Sequence, residues 1–253
     1  MIRTLFLLVT LVHLVQGNDA LAQGAIRDSS IALIAVSANY AYQIPSGDIS
    51  LRFGHNHNVG LSALRKEQSN YMYGVEGGFI FGSKVIEPGF LRDMVNSQGQ
   101  IVDRDGQMAD VLIFERGYSI FLVGGKIIPV AGPNKNSGML LKIGGGYMRH
   151  KIRIQTQKND VPQLEGDYLE GYDRLAAGPA AMLYFGYQHF SNTRKINFNI
   201  GFEMQLGFTE PLRAFNFDTR TTESGRRFDG LTGIRAGWTI PIYKRIDDRF
   251  HYN

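Results

Sequence analysis

The chain of 253 residues contains no cysteine. That excludes disulfides, thiolate metal sites, a cysteine nucleophile and a lipidated N-terminal cysteine. Beyond the N-terminus it has no run of about 18 continuous apolar residues, so no spanning helix is expected. No basic cluster is interleaved with aromatics, and the net charge is only +4, so no nucleic-acid partner is expected. Such a mild positive charge fits a general attraction to anionic lipid headgroups. Gly124-Gly125 and Gly144-Gly145-Gly146 lack the strand-to-helix junction and Lys-Ser/Thr of a phosphate-cradling loop. Inside strands such glycines relieve crowding or allow bending. His55-Asn56-His57 sets two imidazoles on one face of an extended segment. A metal site needs a third ligand, and none is visible, so no metal and no cofactor are expected.

Arg3 precedes an apolar core from Leu5 to Val15, and Ala20-Leu21-Ala22 fits a small-residue cleavage site. Residues 1–22 therefore read as a secretory signal peptide, too short in its apolar core to be an anchor. Removing it takes away Arg3 and Asp19 and leaves the charge at +4. Residues 23–253 show no linker, low-complexity block or repeat and are expected to form a single domain.

The clearest signal lies at 196–209. Ile196, Phe198, Ile200, Phe202, Met204, Leu206 and Phe208 are apolar, and every residue between them is polar or glycine. A strand puts these two sets on opposite faces, whereas a helix scrambles them. The run exceeds an average globular strand and suits a tilted bilayer crossing of about 9–11 residues. Thirty glycines, sixteen phenylalanines and twelve tyrosines fit strands that meet a membrane interface.

Eight such strands are expected, near 31–44, 58–66, 70–83, 115–130, 138–156, 175–191, 196–210 and 227–244. The links after the odd-numbered strands are long and polar, at 45–57, 84–114, 157–174 and 211–226. Those after the second, fourth and sixth are short. This alternation predicts an all-β, eight-stranded antiparallel up-and-down transmembrane β-barrel of the outer-membrane type, with long loops outside and short turns in the periplasm. Ser97-Gln98-Gly99-Gln100 and Asp103-Arg104-Asp105-Gly106 read as turns, so the longest link has room for an extra hairpin. The structural competitor is a soluble lipocalin-like barrel, which buries its apolar face inside.

On the membrane reading, Tyr71, Tyr73, Val75, Phe79 and Phe81 face lipid, as do Ile234, Ala236, Trp238, Ile240 and Ile242. Tyr71, Tyr73, Tyr187 and Trp238 are candidate interfacial aromatics. Glu76, Lys142, Glu203 and Arg235 then point into the lumen. Charges in a narrow lumen are costly unless paired, so the four are expected to form one network. The barrel would meet outer-membrane lipids, lipopolysaccharide included, and other envelope proteins.

His189-Phe190-Ser191-Asn192 places a histidine and a serine on one strand face, where the imidazole can activate the hydroxyl. The segment resembles the His-x-Ser-Asn motif of the lipid A 3-O-deacylase family of eight-stranded outer-membrane enzymes. The resemblance implies a catalytic set of Ser191, His189 and Glu203. The alternation, however, groups Glu203 with the inward set.

Other phrases are Pro45-Ser46-Gly47-Asp48 leading to Arg52-Phe53-Gly54, Gly171-Tyr172-Asp173-Arg174, Ile196-Asn197-Phe198 running to Gly201-Phe202-Glu203, and Gly237-Trp238 running to Pro241-Ile242-Tyr243-Lys244. These resemble outer-membrane β-barrel proteins of the Bacteroidota. That resemblance implies a non-enzymatic barrel, structural or accessory to an envelope complex such as the type IX secretion and gliding apparatus. The deacylase-like esterase is the alternative. Residues 245–253, with Phe250 and Tyr252, are expected as a short periplasmic tail.

Overall fold

Period-two alternation continues around the whole molecule. The computed structural model describes residues 29–157, 160–213 and 215–243. Within them the strands are β1 (Leu33–Gly47), β2 (Asn56–Lys66), β3 (Tyr71–Gly82), β4 (Asp110–Ile128), β5 (Gly138–Gln157), β6 (Ala176–Phe190), β7 (Asn197–Pro211) and β8 (Arg227–Tyr243). Each pairs antiparallel with the next, and β8 returns to β1, so the sheet closes and has no free edge. This is the eight-stranded antiparallel barrel that the alternating links predict. The signal peptide at 1–22 and the tail at 245–253 lie outside the described residues.

Two strands differ from expectation. β4 starts at Asp110 rather than near 115, because Asp110–Phe114 pair with Arg153–Gln157 of β5. Val111-Leu112-Ile113-Phe114 is a continuous apolar run, so alternation gave no sign of a strand there. β1 continues to Gly47, through Pro45, along β8. Its pairing with β2 ends at Gln43, and a proline is tolerated where one side of a strand is unpaired. Gly47, at φ 69°, turns the chain out of the barrel, and a Cβ there would sit 2.2 Å from the Phe228 carbonyl oxygen.

The long links carry four short 3-10 turns, at Asp48–Leu51, Arg92–Met94, Pro162–Leu164 and Gly166–Gly171. The extra hairpin expected in the longest link is reduced to one bridge between Val102 and Met108.

The polarity of the wall is the reverse of a soluble barrel. Leu61, Leu122, Ile143 and Phe202 project outward and are 62–71% exposed. Glu76, Lys142, Glu203 and Arg235 are buried inside. On β4 the outward set bears charge at Lys126 and again at Arg116, ten residues away, with Tyr118, Ile120, Leu122 and Gly124 between. At about 3.3 Å per residue and a strand tilt near 40°, this apolar stretch is roughly 25 Å tall. That is about the height of the apolar band on outer-membrane barrels. Leu122 sits near its middle. Leu122→Arg is expected to destabilise the bilayer-embedded protein by about 2–4 kcal/mol, read from denaturant unfolding in vesicles. A cost within about 0.5 kcal/mol would mean that this face meets water.

Candidate functional site

Four strands contribute to a charge cluster at the centre of the barrel: Glu76 from β3, Lys142 from β5, Glu203 from β7 and Arg235 from β8. Arg235 Nη1 donates to Glu76 Oε2 at 2.7 Å and to Glu203 Oε2 at 2.6 Å. Lys142 Nζ donates to Glu76 Oε1. Glu203 Oε1 also accepts from Gln43 Nε2 at 3.1 Å and Gln205 Nε2 at 2.9 Å. The Tyr184 ring lies 4.5 Å from Lys142 Nζ and 5.4 Å from Arg235 Cζ. Two carboxylates thus meet two cations, all of them buried. Such a cluster holds together because each charge has partners that offset its lost hydration.

The lumen is filled above and below this layer. An interior cavity of about 20 Å³, touching Glu76, Glu203 and Arg235, has room for about one water. Toward the short turns, Lys66 Nζ donates to Ile31 O and Asn136 Oδ1, both at 2.9 Å, and to Ser30 Oγ at 3.1 Å. Toward the long loops, His150 Nε2 lies 2.8 Å from Asp229 Oδ2, which also accepts from Thr209. Beside them Asn56 Nδ2 donates to both Glu115 carboxylate oxygens.

All four long loops close over that end. Glu87 is gripped by two buried arginines, with Arg52 Nε at 3.0 Å and Arg174 Nε at 3.2 Å. Arg174 also reaches Asp218 at 2.5 Å, and Arg52 reaches Glu223. Asp173 holds Arg213 at 2.8 Å and Lys151 at 3.1 Å. Ile49 and Phe53 are buried beneath, and Tyr172 packs edge-on against Phe217. Gly171 permits that approach, since a Cβ there would lie 2.2 Å from the Phe217 ring. This cap has almost no local signature in the sequence. Its one visible sign was that Arg52 and Arg174 stand inside glycine- and aromatic-bearing phrases.

The structure does not bring His189, Ser191 and Glu203 together. His189 projects outward and stacks on Phe198, ring centroids 4.9 Å apart. Ser191 Oγ lies 2.9 Å from Thr193 Oγ1 and accepts the Thr193 N–H at 3.2 Å, an arrangement that shapes the turn. Glu203 points inward opposite Tyr184, five residues along β6 from His189, or about 17 Å. The alternation itself separates them, because His189 is outward and Glu203 inward.

The aromatic candidates all lie on the outward face toward the short turns. Tyr73 donates to Glu67 Oε1 at 2.8 Å, Tyr187 donates to Ala131 O at 3.0 Å, and Lys126 Nζ lies 4.5 Å from the Tyr71 ring. Trp238 pairs with Phe198 of β7 and is 53% exposed. His55 and His57 both pack against Tyr42, and His57 Nδ1 is 2.7 Å from the Tyr40 hydroxyl.

No family model matches the chain, and no curated protein matches it. Among solved structures it is similar to the Neisserial surface protein A, at 10% identity and TM-score 0.42, covering 81% of this chain and 96% of that one. It is also similar to the attachment invasion locus protein of Yersinia pestis, solved with the heparin analogue sucrose octasulfate. There identity is 12% and TM-score 0.36, with 83% and 99% covered. The outer membrane protein OprG from Pseudomonas aeruginosa gives 10%, 0.32, 85% and 99%. These similarities concern barrel form alone.

Arg235→Met strips both glutamates of their shared partner. It is expected to cost about 3–5 kcal/mol in equilibrium unfolding, and a loss below about 1 kcal/mol would mean the cluster is hydrated. The cap has its own pH signature. Burial alone would raise the Glu223 pKa, but the Arg52 charge, the Asn216 bond and Arg227 hold it below the ordinary 4.5. A carboxylate lowered in the folded state stabilises fully above its unfolded pKa, and that contribution fades as pH falls through the folded value. Amide protection factors in loop 211–226, which divide out the intrinsic pH dependence of exchange, should hold down to about pH 4.5 and fall below it. Loosening already between pH 7 and 5 would contradict this.

Proposed function

We propose that the chain is an outer-membrane β-barrel without enzymatic activity, structural or accessory to a larger envelope complex. The observation that carries this reading is the apolar outward stretch of β4 between Arg116 and Lys126, roughly 25 Å tall, over a filled and capped lumen. A band of this height matches hydrocarbon, and a packed interior leaves no channel for ions. The absence of an assembled His189, Ser191 and Glu203 set argues against the esterase alternative. What remains for contact with other molecules is the loop cap and the lipid-facing wall. The Bacteroidota-like phrases favour an accessory role, such as in type IX secretion or gliding. Two of them, around Arg52 and around Arg174, meet on Glu87 in the cap. The cap is therefore the surface we assign to partner proteins of the envelope.

Topology tests this directly, because the chain has no native cysteine. Ser97→Cys lies in the longest link and Thr193→Cys in a short turn, and both positions are exposed. In intact cells, a membrane-impermeant thiol reagent is expected to label position 97 and leave 193 untouched. Labelling at 193 alone would invert the barrel. Equal labelling at both would remove the membrane between them.

A further inference from the structure

β4 and β5 outgrow the barrel. β3 follows β4 only as far as Glu115, and β6 follows β5 only as far as His150. Beyond that rim, residues 110–114 and 153–157 continue as a two-stranded ribbon. The outward face changes character at the same level. Below it stand Ile120, Ile143 and Tyr147. Arg149 stands just below it beside Tyr118, and Arg116, Lys151 and Arg153 stand at it or beyond.

The register packs these four cations together. Arg116 lies directly opposite Lys151, and Arg149 is opposite Tyr118. Directly opposed residues have Cβ atoms about 5 Å apart, and like charges in that position are destabilising. Arg149, Lys151 and Arg153 follow at every second residue, about 7 Å apart on one face. The Arg153 charge repels Arg116, while the adjacent Glu115 carboxylate attracts it. Lys151 has one carboxylate partner, Asp173 at 3.1 Å. Among the described residues Arg149 and Arg153 have no ion-pair partner. Aromatic rings help to set the guanidiniums. Arg116 lies 4.8 Å from the Phe114 ring centroid and Arg149 5.9 Å from that of Tyr118. Repulsion that Asp173 and Glu115 offset only in part, at the edge of an apolar band, calls for an anion at headgroup level. Arginine favours phosphate, which it can bind through two parallel N–H donors.

We infer that Arg116, Arg149, Lys151 and Arg153 form a binding site for the phosphate of a membrane glycolipid whose acyl chains lie along Tyr118, Ile120 and Tyr147. The inference rests on the membrane reading above. Continuity with the apolar band selects a lipid-borne phosphate over a free one.

The test uses the full chain reconstituted in phosphatidylcholine vesicles doped with bis-phosphorylated lipid A or with its dephosphorylated form. Lipid retained by the repurified protein is quantified. Wild type is expected to retain the phosphorylated form at least about tenfold better. That preference should vanish in Arg149→Gln/Arg153→Gln and persist in Arg65→Gln, a cation at the opposite end of the wall. Millimolar inorganic phosphate should not displace the lipid. Equal retention of the two lipids, an unchanged double variant, or displacement by inorganic phosphate would each overturn the site. If the double variant does not assemble, the wild-type comparison of the two lipids decides alone. Failure of wild type to insert at all would sink the membrane reading. Insertion without phosphate preference would sink only the site.

Discussion

Arg235 sits between two carboxylates inside the barrel, and much of the architecture follows from keeping it there. A closed wall of eight strands leaves a narrow interior that side chains must fill. If the outward set is apolar, period two forces the inward set to be polar. Charge inside such a wall is tolerable only where every group finds a partner, since breaking one buried pair costs several kcal/mol. Glu76, Lys142 and Glu203 supply those partners from three other strands, and Gln43 and Gln205 take up remaining carboxylate capacity. The cluster therefore ties β3, β5, β7 and β8 together across the lumen. The same filling leaves a cavity of only about 20 Å³ beside the cluster.

The two ends are closed in different ways, and this sets what each can do. Toward the short turns, Lys66 is surrounded by hydroxyl, carbonyl and amide oxygens close to the chain's first described residues. Toward the long loops, the seal is ionic and built from all four connections around Glu87, Asp173, Asp218 and Glu223. Loops tied to each other across a mouth behave as one surface rather than as four independent tethers. On the outward side of that rim, the wall changes abruptly from aromatic to cationic along β4 and β5.

Most of the wall could be read from the chain because period two is a strictly local signal. Residues 196–209 gave the face, the register of polar and apolar sets and the inward placement of Glu203. The same rule named the four interior charges, although only closure of β8 on β1 brings Arg235 to Glu76. Signals failed where alternation stopped. The apolar run at 111–114 hid the start of β4, since both faces of a projecting ribbon carry apolar residues. The cap was invisible because the ion pairs at its centre join residues far apart in sequence, as with Arg52 and Glu87, 35 positions apart in different loops. The His-x-Ser phrase misled in the opposite sense. Its spacing was right for a triad, but strand parity decides orientation, and parity sends His189 and Glu203 to opposite faces.

The central claim is that the outward face meets hydrocarbon, and the chain carries one tryptophan, on that face, to report on it. The measurement is Trp238 fluorescence in vesicles made with lipids brominated along their acyl chains, set against aqueous iodide. The account predicts strong quenching by the brominated chains and almost none by iodide. Efficient quenching by iodide with no effect of bromine would place Trp238 in water and contradict it.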